Sequence, residues 1–103
     1  MDSRIDLQTN LEAVLGSRNV YFQPPESLKL KYPCIVYNLA TIETINADNK
    51  NYLLLNRYTV TLIHTDPDND VKTDILNSFR NVSMDTVYTK DNLYHYVYDL
   101  YYN

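Results

Sequence analysis

The densest gathering of reactive groups is acidic. Asp66, Asp68, Asp70 and Asp74 stand close together, with His64 just before them. Carboxylates at alternate positions, D-x-D-x-D, resemble the opening of a calcium loop, in which oxygens converge on one hard cation. The rest of that loop is wanting. Its sixth position requires glycine and holds Val71, its twelfth requires glutamate and holds Asn77, and Pro67 stiffens the run. The expected role is a turn whose acids favour the positive end of a following helix. His64 and His95 could meet on neighbouring strands, but no third ligand has metal spacing and no nucleophile is assigned to either. Cys34 lies in the apolar run Cys34-Ile35-Val36-Tyr37, where a free thiol packs rather than reacts. The single glycine, Gly16, leaves no phosphate-cradling loop. The residues therefore predict no enzyme, with no catalytic, metal or cofactor-binding residues and no cofactor. The sequon Asn81-Val82-Ser83 is expected to be incidental.

The remaining signals are compositional. The chain has 103 residues, enough for one domain spanning 1–103 and no second core. With 45% hydrophobic and 21% charged residues it is expected to fold. No apolar run is long enough to cross a membrane as a helix. MDSRIDLQTN lacks the apolar core of a signal peptide, and a lone cysteine suits a reducing cytoplasm. A net charge of −4 argues against tight binding of duplex nucleic acid, which needs basic residues on phosphates. Eleven tyrosines favour sheet, since the ring covers a pleated surface while the hydroxyl stays wet. Tyr94, Tyr96, Tyr98, Leu100 and Tyr102 alternate as a ladder on one strand face. Such rings could stack the bases of a single strand, but residues 94–102 carry no Lys or Arg, so packing or a subunit contact is expected.

These features need elements to position them. Leu7, Leu11, Val14 and Leu15 form one stripe of a helix over about residues 4–15, with Ser3 as N-cap and Gly16 at the left-handed C-cap position. Asn19–Phe22 is a short strand stopped by Pro24-Pro25. Residues 23–32 form a surface loop in which Leu28 and Leu30 alternate with Lys29 and Lys31. A strand from Cys34 to Ile45 begins apolar and then loses its alternation, which predicts a bulge or an exposed extension. The polar run Asn46 to Asn51 joins it to a strand from Tyr52 to His64, in which Tyr58, Val60 and Leu62 share a face. So long a hairpin is expected to project beyond a small core. A second helix follows, capped by Asp68, Asn69 or Asp70, with the stripe Val71, Ile75, Phe79 and Val82 widened by Leu76. Strands at about 83–89 and 93–102, joined at Lys90-Asp91-Asn92, complete the order helix, strand, long hairpin, helix, hairpin. The predicted class is α+β, a mostly antiparallel sheet with both helices on one face.

The runs Leu11–Gly16, Asn19–Pro25 and Lys31–Tyr37, with Asn56–Thr61 and Asp66-Pro67-Asp68 further on, resemble the tail terminator proteins of long-tailed bacteriophages. These are also called tail completion or tail-to-head joining proteins. The resemblance implies a structural virion protein at the head–tail junction, assembled in the host cytoplasm. Its partners would be further copies of itself in a hexameric ring, the tail tube protein and the head-completion or connector protein. Genomic DNA would pass through the lumen without specific binding, and no membrane is involved. Candidate contacts to neighbouring subunits or tube are Gln23, Pro24, Pro25, Glu26, Lys29 and Lys31 in the loop, Asp48, Asn49 and Lys50 at the hairpin tip, and Tyr101 and Tyr102. The competing expectation is a small ligand-binding or regulatory α+β domain with a pocket between helices and sheet.

Overall fold

The computed structural model of the chain describes residues 3–47 and 51–102. Helix α1 (Ser3–Leu15) is followed by β1 (Val20–Phe22), β2 (Cys34–Ala47), β3 (Asn51–His64), α2 (Val71–Ser78), β4 (Val82–Lys90) and β5 (Leu93–Tyr101). The strands form one five-stranded sheet in the order β1-β2-β3-β5-β4. β1 runs parallel to β2, and every other pairing is antiparallel. The class is α+β, as the alternation of patterns predicts.

Both helices lie over the same face of the sheet, since Leu7, Leu11 and Leu15 of α1 and Ile75 of α2 join one core cluster with strand residues. Ile35 and Tyr37 of β2 share that cluster with Tyr58, Val60 and Leu62 of β3 and Tyr96, Tyr98 and Leu100 of β5. These residues pair across the strands, Ile35↔Leu62↔Tyr96 and Tyr37↔Val60↔Tyr98, so paired side chains share one face. Gly16 ends α1 with φ +76°, and the amides of Gly16 and Ser17 both donate to the Glu12 carbonyl. The helix already includes Ser3; the capping contact expected of it falls outside the described residues.

Helix α2 is shorter than its apolar spacing predicts. It stops at Ser78, and Phe79 is extended at φ −126°, ψ 150°. Phe79 and Val82 still pack against the core, but from beyond the helix. The chain keeps feeding the same core after leaving helical geometry, so spacing alone overstates the helix. At its other end the side chain of Asp70 makes no cap hydrogen bond. Asn69 caps instead, its Oδ1 accepting the Lys72 amide at 3.0 Å.

Between β4 and β5, Asp91 (φ 55°) and Asn92 (φ 63°) both adopt left-handed backbone. That is the two-residue turn whose twist suits a hairpin, and Asp and Asn tolerate it best after glycine. A bulge interrupts β2 between Leu39 and Thr41, where the sequence loses its alternation.

The core takes more of the aromatic surplus than the interface reading assumed. Tyr37 and Tyr98 are wholly buried, and Tyr58 and Tyr96 nearly so. Burial works because the hydroxyls find partners. Tyr37 Oη donates to Gln8 Oε1 at 2.5 Å, and Tyr98 Oη donates to the Lys72 carbonyl at 2.8 Å. Burial raises the Tyr98 hydroxyl well above its usual pKa. Tyr94 and Tyr102 lean on the same core. The ladder is thus chiefly a packing device, and among the described residues the tyrosines exposed by more than two fifths are Tyr32 and Tyr88.

Candidate functional site

The most distinctive surface is the β2–β3 ribbon. β5 stops pairing with β3 at Arg57↔Tyr101, while β2 and β3 continue together to Ala47↔Asn51. The molecule is accordingly 51 Å long but only 26 by 22 Å across. The ribbon base is tied down on the face away from the helices. Arg57 Nη1 lies 3.3 Å from Asp99 Oδ1, and Arg57 Nε lies 3.9 Å from Glu43 Oε1. Both pairs are partly exposed and contribute little stability; their effect is to orient the arm. On the helix side the ribbon presents Ile42 and Leu54, each more than half exposed. The expected tip contacts Asp48, Asn49 and Lys50 lie outside the described residues.

Tyr101 and Tyr102 sit at this base. Tyr101 Oη approaches Glu43 Oε1 at 3.5 Å, and desolvation, then the Glu43 charge, raise its pKa. The Tyr102 amide donates to the Asn56 carbonyl, and its ring meets Phe79 edge-on at 6.2 Å. Asn10 Nδ2 donates to Tyr102 Oη at 2.9 Å. Both tyrosines are half-buried, and Tyr102 fastens strand to helix.

The loop 23–32 folds back over the sheet face that carries no helix. Gln23, at φ 45°, ends the parallel pairing: its amide donates to the Tyr37 carbonyl and its Oε1 accepts the Leu39 amide at 3.4 Å. Pro24, Pro25, Glu26, Leu28 and Leu30 then wall a cleft of about 340 Å³, whose other side includes Val36, Thr61, Ile63, Tyr88 and His95. This cleft lies on the opposite face of the sheet from the pocket expected between helices and sheet. Cys34 and Ile63 are buried on that same face, and burial pushes the Cys34 thiol up to about 11. Lys29 and Lys31 are exposed and stand outside the cleft lining.

Tyr88 and His95 stack at the cleft, ring centroids 4.6 Å apart and 11° from parallel. Sequence reasoning missed this pair, although the signal existed. A two-residue turn at Asp91-Asn92 sets Tyr88 opposite His95, the observed register. His64 is paired with Tyr94 and His95 with Ile63, so the two histidines occupy adjacent strands but opposite faces and do not converge.

The acidic segment is built as a turn. His64 Nδ1 accepts the Asp66 amide, Asp66 Oδ1 accepts the Asp68 amide at 2.9 Å, and Asn69 Nδ2 donates to the Asp66 carbonyl at 2.7 Å. Among the described residues, no three of His, Cys, Asp and Glu gather in a group that could hold a metal ion. No described helix is long and apolar enough to cross a membrane.

Two sheet edges complete the surface. β4 is exposed along nearly its whole length, including Met84, Val87 and Tyr88. β2 pairs with β1 only from Ile35 to Tyr37, which leaves its outer side open through the ribbon. No protein-family model matches the chain, and no curated protein matches it significantly.

Proposed function

We propose that the chain is a structural subunit of a long-tailed phage particle, working like a tail terminator. Copies form a ring that caps the tail tube and meets the head connector, and the genome passes through the hole. The observation that carries this reading is the ribbon. An arm whose described side chains stay out of the core cluster, and which exposes Ile42 and Leu54, suits contact with another protein chain. The resemblance of Lys31–Tyr37 and Asn56–Thr61 to the terminator family points to which chains those are. A net charge of −4 suits a conduit that must release DNA. The test is the protein's place in assembled particles. Six-fold density at the head–tail junction that fits this chain supports the proposal; a single copy per particle, or none, ends it.

The cleft of about 340 Å³ under the loop favours a second reading, a small ligand-binding domain, because its volume falls in the range of ligand sites. A monomer whose melting temperature rises on adding a small molecule, with no affinity for tail tubes, would support that reading instead.

A further inference from the structure

Strands protect their free sides with charges, prolines or brevity, because an open row of N–H and C=O groups recruits other strands. β1 is protected by being three residues long. β4 is not protected in this way. It has nine residues, pairs with β5 along one side and, among the described residues, with nothing along the other. Its charges are marginal: Asp85 sits in the bulge between Met84 and Thr86, and Lys90 ends the strand. Between them runs Thr86-Val87-Tyr88-Thr89, uncharged, rich in strand-forming residues and exposed.

The chain carries a second open edge that fits the first. Gln23 closes the outer side of β2 as far as the Leu39 amide, and from Thr41 to Ala47 that side has, among the described residues, no strand beside it. Seven residues span about 23 Å, within reach of the length of β4. The faces agree as well. Ile42 lies opposite Asn56, two positions before the buried Tyr58, and so faces the helix side of the sheet. Met84 lies opposite the buried Tyr98, and Val87 opposite Tyr96, so they face the helix side too. The one charge on this stretch of β2, Glu43, points to the other face and is already held by Arg57.

We infer that β4 is the docking edge for the ribbon of a second copy of this chain, with β2 of one copy lying beside β4 of the next. The contact joins unlike surfaces, so it repeats head to tail and covers both open edges of every copy. Two-fold pairing of β4 with β4 would leave each ribbon bare. Ile42 of one copy then extends the apolar layer of Met84 and Val87 on the other. This contact rests on the self-assembly part of the function proposed above.

The test uses two single substitutions in the full chain, Thr44→Cys on the ribbon and Val87→Cys on β4. The native Cys34 is buried and stays in place. The two variants, distinguished by mass, are mixed and oxidised mildly. The expected result is a 44–87 disulfide about tenfold more abundant than 44–44 or 87–87, and Val87→Lys, at an exposed position, abolishes assembly with unchanged melting temperature. Dominant 87–87 pairing, or no mixed disulfide at any concentration, overturns the inference. A mixed disulfide within open filaments that never seat on tail tubes keeps the edge contact and ends the terminator reading. A six-fold ring on tubes without that disulfide does the reverse.

Discussion

Asn69 is buried, the one amide or charged side chain among the described residues that is, and replacing it tests how α2 is held. An eight-residue helix is too short to persist unaided. Asn69 makes three contacts: Oδ1 accepts the Lys72 amide at 3.0 Å, and Nδ2 donates to the Asp66 carbonyl at 2.7 Å and to Tyr96 Oη at 3.4 Å. Asn69→Ala removes the cap, worth about 1 kcal/mol, and the short bond to Asp66, worth about 1 kcal/mol more. The long contact to Tyr96 adds little. The sum, about 2 kcal/mol, lowers the melting temperature of a chain this size by about 8–16 °C. Asn69→Asp separates the roles. It keeps the acceptor for Lys72 but turns an anion toward the Asp66 carbonyl, which raises its folded pKa above that of the unfolded chain. A raised carboxyl pKa means the folded state holds its proton longer. Stability is therefore lowest at neutral pH and returns as the pH falls through the folded pKa. Calorimetric melts of both variants between pH 3 and 7 provide the assay. A shift below about 2 °C for Asn69→Ala would refute the reasoning, since water would then replace all three bonds at little cost.

Three further outcomes are expected. Burial takes the Cys34 thiol from its usual 9.0 to about 11, so at pH 8 its thiolate fraction falls roughly a hundredfold and native protein labels at least that much more slowly than unfolded protein. Because that pKa is raised on folding, the associated stability is present below pH 9.0 and is lost as the pH climbs toward 11, which alkaline melts will register. Joining Thr44 to Leu54 through Asn-Gly, which removes the outer ribbon, leaves the far-ultraviolet spectrum and cooperative melting intact, since among the described side chains of the arm, 41–44 and 54–56, none joins the core cluster; an unfolded product would place the arm in the core instead. Calcium raises the melting temperature no more than an ionic-strength control does, because the Asp66 carboxylate is already engaged by the Asp68 amide and the calcium-loop glycine and glutamate positions hold Val71 and Asn77; a larger rise would reveal a cation site there.

Much of this architecture is legible in the residues. The stripe Leu7, Leu11, Leu15 with Gly16 after it specifies α1 and its end, and the alternation of Tyr58, Val60 and Leu62 specifies the buried face of β3. The lost alternation after Leu39 marks both a bulge and the arm. Other features depend on tertiary placement. Nothing local states that β1 runs parallel to β2, since that follows from how residues 23–32 cross the sheet. Phe79 and Val82 keep helical spacing by coincidence of reach. Tyrosine counts suggest wet interfaces, yet Gln8 and the Lys72 carbonyl satisfy Tyr37 and Tyr98 inside. The cleft needs both the loop and the far face, and only the Tyr88–His95 pair on its rim follows from turn arithmetic. The candidate contact residues are scattered among a loop, an arm and a strand end, because neighbours in assembly need not be neighbours in sequence.

β5 follows β1 to β4 in the chain yet occupies an interior place in the sheet, between β3 and β4. A ribosome making this chain therefore releases an unfinished object until residues through Tyr101 have emerged. Up to that moment β3 has lost its inner neighbour, β4 has no partner, and the layer completed by Tyr96, Tyr98 and Leu100 is missing. Interrupted translation yields chains with two bare interior edges, ready substrates for proteases and for aggregation. Only a chain read through β5 holds β4 in the sheet with one side paired and the other open. If β4 docks a second copy as inferred above, a chain that stops short of β5 has no such docking edge held in a sheet.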